Sequence, residues 1–512
     1  MSGLEGARVA ASPAASDGQV LKRTARLMTW ALVAVLVWLP LQTPIAIAIF
    51  QYGHSEGLSR ATLLLKDVVV ALLVLYALAA TWRSLKLRWF DKAAIAYVVV
   101  VAIYSVVPLL GSHQSLTSVA SSAREFVMPV EAYALGRLAQ LAGADLRFIF
   151  KAFVAASAVI AVTAILEYFV LPITFWSSTL DLVTFERVVQ VIPGADSLWR
   201  ISLLGDYGAG LGVYPRAVAT FTHPVGAGGY FIFPLGLTVA AWYSGEARGR
   251  RLMTVGLIGL SLLFCLATIV TLSRGSWIAA AVVVVMCGFM FRRLRVSFLC
   301  LMVVGIFLMG VRPFSDSITS ALNRNDSSML GHIEAIGQDV QVTIANIFGM
   351  GLGSADRVVG LQPDSGQTAG ASAGASAGGN IGSDESTGVG ENLYLSVLVS
   401  TGPAGAVTFV AWSVGVVVLL LRAVRQSAHK WLLAGVATAM VGSLISAMSS
   451  SALMRFTTAA SGWLLLGLAT SLVLATSPEI ASFKRPHLSS PGWLSRLLGR
   501  NPEPGSDASD QE

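Results

Sequence analysis

Long apolar runs recur along the chain and alternate with short polar or basic stretches. A helix of about 20 apolar residues spans a hydrocarbon core of about 30 Å, whereas the strands of a membrane β-barrel are about 10 residues long and alternate in polarity. The pattern therefore predicts an all-α polytopic membrane protein with about 12 transmembrane helices. We expect these spans at 27–50, 61–82, 93–111, 119–141, 148–171, 223–243, 252–272, 275–291, 296–311, 393–421, 431–449 and 457–476.

Composition agrees with this class. Hydrophobic residues make up 55% of the chain and charged residues 12%, with a mean hydropathy of +0.70, whereas about a quarter of the residues of ordinary soluble domains are charged. The net charge of +7 is therefore interpreted by its location, and no nucleic-acid partner is expected. All three cysteines lie inside apolar runs, which indicates neither a disulfide framework nor a thiolate metal site.

The distribution of basic residues predicts the orientation. Clusters of them follow the second, sixth, eighth and tenth spans, and all fall on one side if the twelve spans are correct. The positive-inside rule makes that side cytoplasmic, together with both termini. The fourth span is the weakest, because four charged residues interrupt it: Arg124, Glu125, Glu131 and Arg137.

This topology divides the chain into three parts. Residues 1–20 are expected to form a disordered cytoplasmic tail, 21–480 a single polytopic membrane domain, and 481–512 a second cytoplasmic tail. Two long segments of the membrane domain, about 172–222 and 312–392, are expected on the outer face. Within the second, 329–347 has the pattern of an amphipathic helix, and the low-complexity stretch 363–390 predicts a flexible flap.

A candidate base lies where the second outer segment meets the tenth span. Glu391 opens that helix, and the positive end of the helix dipole favours its ionised form. An ionised carboxylate at a wet membrane surface can accept a proton from a sugar hydroxyl as a general base. The alternative is structural, because acidic residues are common in first helical turns. His332 in the same outer segment is a further candidate base or a structural histidine.

Two arginines lie at other junctions on the same predicted face. Arg216 precedes the sixth span, and Arg274 lies in a very short turn between the seventh and eighth spans. Because its planar guanidinium makes two parallel charge-assisted hydrogen bonds, arginine suits a phosphate or pyrophosphate. The alternative for both is an interfacial arginine that extends to lipid headgroups. His223 could transfer a proton or serve a structural role.

No recognisable motif for a metal or nucleotide is present. The six histidines are scattered, no His-Glu-x-x-His or paired-cysteine spacing occurs, and there is no Gly-x-x-x-x-Gly-Lys loop. We therefore expect no metal and no other cofactor. A reaction on the outer face would then need a donor that is already activated.

The order of several motifs resembles the O-antigen ligase and Wzy-type polymerase superfamily of bacterial envelope glycosyltransferases. The matching stretches are Arg216-Ala-Val-Ala-Thr-Phe-Thr-His-Pro224, Leu272-Ser-Arg-Gly275, Gly349-Met-Gly-Leu-Gly353 and Glu391-Asn-Leu-Tyr-Leu-Ser-Val-Leu-Val-Ser-Thr-Gly402. The resemblance covers about 200–470, and earlier spans match only in hydropathy. The ligases carry a histidine where this chain has Glu391, and the Glu-Asn form is more similar to the polymerase-type members.

The resemblance implies a metal-independent, inverting glycan transferase of the bacterial inner membrane. Its donor would be an undecaprenyl-pyrophosphate-linked glycan on the periplasmic face, and its acceptor a hydroxyl of a glycan or of a lipid-linked molecule. Glu391, Arg216 and Arg274 would be catalytic, with the two arginines holding the pyrophosphate. Further substrate-binding residues are expected at Asn392, Tyr394, His223, His332 and Arg324.

Two other functions remain open from the residues. A transporter or flippase for a lipid-linked or polar substrate would carry ionisable groups near the membrane midplane, and the charged fourth span favours it. A non-catalytic partner of envelope polysaccharide assembly proteins would use the outer segments as docking surfaces. Most of the notable charges collect at outer helix ends, which favours transfer.

Overall fold

The structure, a computed structural model, is a helical bundle with a small two-stranded β-ribbon. The residues that it describes are 13–111, 116–171, 184–185, 204–206, 213–221, 223–246, 249–322, 336–337, 340–352, 392–448, 450, 453 and 457–476. Glu391, His332 and Arg324 lie outside these ranges, as do most of the first outer segment, the low-complexity stretch and residues 481–512.

Thirteen helices are numbered here in chain order within the described residues. They are α1 (Pro13–Gly53), α2 (Glu56–Thr81), α3 (Trp89–Gly111), α4 (Leu116–Leu141), α5 (Leu146–Val170), α6 (Pro224–Ser244), α7 (Arg251–Val270), α8 (Arg274–Met290), α9 (Leu294–Gly310), α10 (Arg312–Leu322), α11 (Leu393–Ala423), α12 (Lys430–Ser446) and α13 (Thr457–Thr476). The antiparallel ribbon, β1 (Leu204–Asp206) with β2 (Val213–Pro215), precedes α6.

The protein is an all-α polytopic membrane protein. A helix is present at each of the twelve predicted spans, and eight helices in the described part of the chain are long and apolar enough to cross a membrane. A ninth is added if α9 and α10, bent by 96° at their junction, count as one broken span. The helices α8 and α12 are apolar but shorter, and α4 is more charged, so the count of twelve spans stays a prediction. The helix α1 begins at Pro13, within the stretch predicted as a tail.

The charges of α4 are explained partly by its neighbours in the bundle. Arg137 Nε donates to Asp91 Oδ1 at 2.8 Å and its Nη2 to Asp91 Oδ2 at 2.9 Å, so the guanidinium and carboxylate pair side by side. Arg137 also donates to Ser471 on α13, and Tyr133 donates to Asp91. Because both charged groups are buried and their hydrogen bonds are made within the protein, this end of α4 fits inside a bundle.

A second ion-pair group links α4 to the middle of α2. Asp67 Oδ2 lies 3.4 Å from Lys66 Nζ and 3.5 Å from Arg124 Nη1. Lys66 Nζ also donates to the carbonyl of Leu63 at 3.0 Å. Arg124, one of the charged residues that interrupt the fourth apolar run, thus has a partner on α2, which lowers the cost of placing it in an apolar environment.

Small residues let the central helices approach closely. A Cβ at Gly236 on α6 would lie 2.6 Å from the carbonyl oxygen of Gly435 on α12, and a Cβ at Gly442 would lie 2.7 Å from that of Ala279 on α8. Packing of this kind is how helices associate in a membrane, where lipid and side chain are equally apolar. The first turn of α6 and the last turn of α12 also line one cavity, so the start of α6 lies beside the end of α12. We call this end of the bundle the site end.

The predicted basic clusters lie at the opposite end. They flank the α2–α3, α6–α7, α8–α9 and α11–α12 connections, and the other ends of α6, α7, α8, α11 and α12 lie at the site end. The residues concerned are Arg83, Lys86, Arg88, Lys92, Arg250, Arg251, Arg292, Arg293, Arg295, Arg422, Arg425 and Lys430. The sequence asymmetry in basic charge is therefore also an asymmetry of the fold.

Breaking the buried pair should destabilise the protein far more than breaking an exposed one. We expect Arg137→Ala to cost about 3–5 kcal/mol, because it leaves the Asp91 carboxylate buried without its partner. Arg60, which pairs with Glu56 on the surface of α2, provides the matched control; Arg60→Ala should cost no more than about 1 kcal/mol. Thermal unfolding of both variants in detergent measures the difference, and equal losses would contradict the assignment.

Candidate functional site

The segment that carries Arg216 is tied to the end of α7. Ala217 N–H donates to the carbonyl of Val270 at 3.1 Å, and Arg216 Nε donates to the carbonyl of Thr271 at 3.3 Å. Thr271 begins the turn that leads to Arg274. The structure therefore brings together the two short segments in which the sequence predicts phosphate-binding arginines.

A buried carboxylate on α5 holds the next two residues of the segment. Glu167 accepts the N–H of Val218 with both oxygens, at 3.1 Å each, and the N–H of Ala219 with Oε2 at 2.6 Å. Ala219 has a φ of 53°, in the left-handed region. Successive N–H groups around such a residue form a concave anion site, and here a side chain of the protein occupies it.

The turn before α8 is compact and rich in hydroxyls. Leu272 has a φ of 50°, Thr271 Oγ1 accepts the N–H of Ser273 at 3.4 Å, and Ser276 Oγ donates to Ser273 Oγ at 3.0 Å. A Cβ at Gly228 on α6 would lie 2.8 Å from Ser276 Cβ. Glycine at this position is what lets the start of α6 pack directly on the Arg274 turn.

The short helix α10 covers this turn. Arg274 Nε donates to Ser317 Oγ on α10 at 3.1 Å, and Tyr214 on β2 donates to Asp316 Oδ2 at 2.6 Å. Phe314, also on α10, packs beside Leu272. A helix was not predicted over 312–322, and its contacts make it one wall of the arginine site.

His223 caps α6. Its Nδ1 accepts the N–H of Val225 at 3.3 Å, which requires that nitrogen to be unprotonated. Removal from water and the positive charge of Arg216 lower the pKa of His223 below its usual range. The imidazole is therefore neutral at pH 7, which suits a structural cap and leaves the predicted substrate contact untested.

Asn392 and Tyr394 fasten the start of α11 to the end of α12. Asn392 Oδ1 accepts the N–H groups of Tyr394 and Leu395, and its Nδ2 donates to the carbonyl of Met448 at 2.7 Å. Tyr394 Oη donates to the carbonyl of Leu444 at 2.8 Å. Both residues have defined structural roles here, and their predicted contacts with substrate stay predictions.

A narrow cavity lies beside the start of α6, among α6, α8, α12 and α13. Its lining includes Val225 in the first turn of α6, Ala279 in the second turn of α8, and Ala447 at the end of α12. Leu393, the first residue of α11, donates its N–H to the carbonyl of Ala447. Ser443 also lines the cavity, and among the described residues its hydroxyl has no hydrogen-bond partner.

The glycine-rich stretch packs on a break in α11. Gly402 has a φ of 63° and a ψ of −174°, immediately before Pro403, so α11 is two helical pieces joined there. Met350 N–H donates to the carbonyl of Val399 at 2.8 Å, and a Cβ at Gly349 would lie 3.0 Å from Gly402 Cα. This contact holds the glycine-rich stretch, near the middle of the second outer segment, against the bundle.

The three remaining predicted residues, Glu391, His332 and Arg324, lie outside the described residues. Asn392, the next residue after Glu391, lies at the site end. In the described part of the chain, no group of three or more His, Cys, Asp and Glu residues could hold a metal ion. No protein-family model matches the chain, and no curated protein matches it.

Sequence reasoning missed Glu167, Ser317 and Ser443. Glu167 lies within an apolar run and contacts backbone groups distant in sequence, so no local motif marks it; its one signal is a lone carboxylate near the end of a predicted span. Ser317 could have been found only with α10, whose apolar and polar residues alternate with a helical period. Ser443 resembles other small residues of an apolar helix.

Two substitutions at Asn392 should separate the contribution of its helix cap, made by Oδ1, from that of its hydrogen bond to Met448, made by Nδ2. Asn392→Asp keeps the acceptor for the N–H groups of α11 but loses the donor to Met448, whereas Asn392→Ala loses both. We expect Asn392→Ala to destabilise the protein by about 2–3 kcal/mol and Asn392→Asp by about half as much. Thermal unfolding measures the order, and equal effects would show that one of the two contacts is unimportant.

Acid should remove part of the stability contributed by His223. Its folded pKa is lowered, so its neutral form favours folding above the ordinary value of about 6.5, and that contribution falls as the pH drops below it. Asn at this position can still cap α6 but does not titrate. The difference in Tm between wild type and His223→Asn should therefore shrink between pH 7 and pH 5; a constant difference would contradict the neutral buried cap.

Proposed function

We propose that this protein is a bacterial envelope glycosyltransferase that transfers or polymerises glycan from an undecaprenyl-pyrophosphate-linked donor. The observation that carries the proposal is the contact between the Arg216 and Arg274 segments, in which Arg216 Nε donates to the carbonyl of Thr271, at the same end of the bundle as the start of α11. Both segments belong to the motifs that carry the resemblance, and they are distant in sequence and in contact in the fold.

The electrostatics of this end suit an anionic leaving group. Arg216 Nε donates to the carbonyl of Thr271, and Arg274 Nε donates to Ser317 Oγ. Two permanent positive charges at a membrane surface favour a lipid-linked pyrophosphate. In the proposed reaction they stabilise the charge that develops as the bond between the anomeric carbon and the phosphate oxygen breaks.

The proposed chemistry is a displacement at the anomeric carbon. An acceptor hydroxyl attacks this carbon, its proton passes to Glu391, and the undecaprenyl pyrophosphate leaves with the electron pair of the broken bond. Attack from the side opposite the leaving group inverts the anomeric configuration. The acceptor is a hydroxyl of a glycan or of a lipid-linked molecule, and the unpaired Ser443 hydroxyl in the cavity wall is compatible with a polar acceptor.

We further propose a placement in the inner membrane with about 12 spans and the site end toward the periplasm. The basic clusters at the opposite end support a cytoplasmic position for that end, and both termini then lie in the cytoplasm. The two long segments about 172–222 and 312–392 are proposed to be periplasmic. Envelope polysaccharide assembly proteins are proposed partners.

A flippase or transporter is the second candidate. The observation that favours it is the ionic group Lys66, Asp67 and Arg124 between α2 and α4, because charged groups within a span often mark a translocation pathway. Here the carboxylate is paired with both cations, which also suits a structural role. Substrate movement across vesicles without glycan transfer would favour this candidate over the transferase.

The test of the proposed roles is genetic and biochemical. Glu391→Gln and Arg274→Ala should each lower long-chain or ligated polysaccharide by about a hundredfold or more, because each removes a group that acts in the transition state. Arg216→Ala should have a similar effect. Arg60→Ala removes an exposed arginine of α2 and should leave the product unchanged. Normal polysaccharide in the Glu391 and Arg274 variants, at wild-type abundance, would refute the assignment.

A further inference from the structure

The strongest unassigned contact near the arginine site is the buried Glu167 carboxylate. It lies on α5, three residues before the helix ends, and is only 8% exposed. A carboxylate in such a place is costly unless its oxygens accept hydrogen bonds. Glu167 accepts them from the backbone N–H groups of Val218 and Ala219 at 2.6–3.1 Å, so the segment supplies what the buried group requires.

The contact also holds an unfavourable backbone conformation. Ala219 has a φ of 53°, and a residue with a Cβ is disfavoured in this left-handed region. The turn is closed by Phe221 N–H, which donates to the carbonyl of Val218 at 2.9 Å. Because two N–H groups point at one carboxylate, loss of the carboxylate removes the interaction that offsets the conformational cost.

The position of Arg216 depends on this turn. The segment is fixed on one side by the bonds of Arg216 and Ala217 to the end of α7, and on the other by Glu167. His223 then begins α6. Release of the second anchor would free the backbone that directs the Arg216 guanidinium toward the Arg274 turn.

We propose that Glu167 is a positioning residue that fixes the Val218–Ala219 turn and thereby holds Arg216 in place for the lipid-linked pyrophosphate. The inference rests on the proposed transferase function. It assigns Glu167 no contact with substrate and no proton transfer. In this role the Glu167 carboxylate is needed only to hold the strained turn at Ala219. A second substitution that relieves the strain should therefore compensate for its loss.

The signature is rescue by glycine. Glu167→Gln keeps one acceptor oxygen but loses the charge, and glycan transfer per folded molecule should fall about tenfold or more. Adding Ala219→Gly removes the conformational cost of the turn, because glycine enters the left-handed region freely, and should restore transfer about two- to fivefold. Ala219→Gly alone should stay near wild type. Glu56→Gln, an exposed carboxylate of α2, is the matched control and should have no effect.

A second measurement reports on the turn without glycan transfer. Thr220 follows Ala219, and its hydroxyl oxygen is buried. In a variant whose three native cysteines are replaced by alanine, Thr220→Cys should react with a maleimide several times faster when Glu167→Gln is also present. If wild-type protein shows no transfer but the labelling rate still rises, the proposed function fails and the anchoring of the turn stands.

The inference is overturned by either of two results. Transfer at the wild-type level in Glu167→Gln would show that Arg216 does not depend on the carboxylate. A loss of transfer that Ala219→Gly does not reduce, with an unchanged labelling rate at position 220, would show that Glu167 acts on something other than this turn.

Discussion

The close approach of α6 and α12 is the contact on which the rest of the site depends. Gly236 meets the backbone of Gly435, and a Cβ at either position would overlap the facing helix. The two helices run antiparallel, so the beginning of α6 lies beside the end of α12. Val225 in the first turn of α6 and Ala447 after α12 thus line the same cavity, although more than two hundred residues separate them in the chain.

Backbone hydrogen bonding explains why the site forms at helix ends. Each helix begins with free N–H groups and ends with free carbonyls, and in a membrane these need partners within the protein. At the site end, the partners are Glu167 for the turn before α6, Asn392 for the start of α11, and Arg216 for the carbonyl of Thr271. The side chains that form these hydrogen bonds with the backbone are polar or charged, so the same requirement places polar and charged groups together at the site end.

Hydropathy predicts the helices of this protein well because apolar length is a local property. It does not predict α10, because this amphipathic helix lies within a segment that was assigned as a loop. It also does not predict the break in α11 at Gly402, because the apolar run continues through that position; the sequence signal for the break is the pair Gly402-Pro403. The sequence predicted that the Arg216 and Arg274 segments lie on the same face of the membrane, but not that they are in direct contact. Glu167 could not be predicted, because its partners are backbone groups some 50 residues away, and packing rather than a motif brings them together.

Reconstitution of the purified protein in liposomes with an undecaprenyl-pyrophosphate-linked glycan and a hydroxyl acceptor tests the central claim most directly. The account predicts a glycan product with inverted anomeric configuration, release of one undecaprenyl pyrophosphate for each bond formed, and no product with the Glu391→Gln variant. Movement of the lipid-linked glycan across the bilayer, with no new glycosidic bond in the wild-type protein, would contradict it.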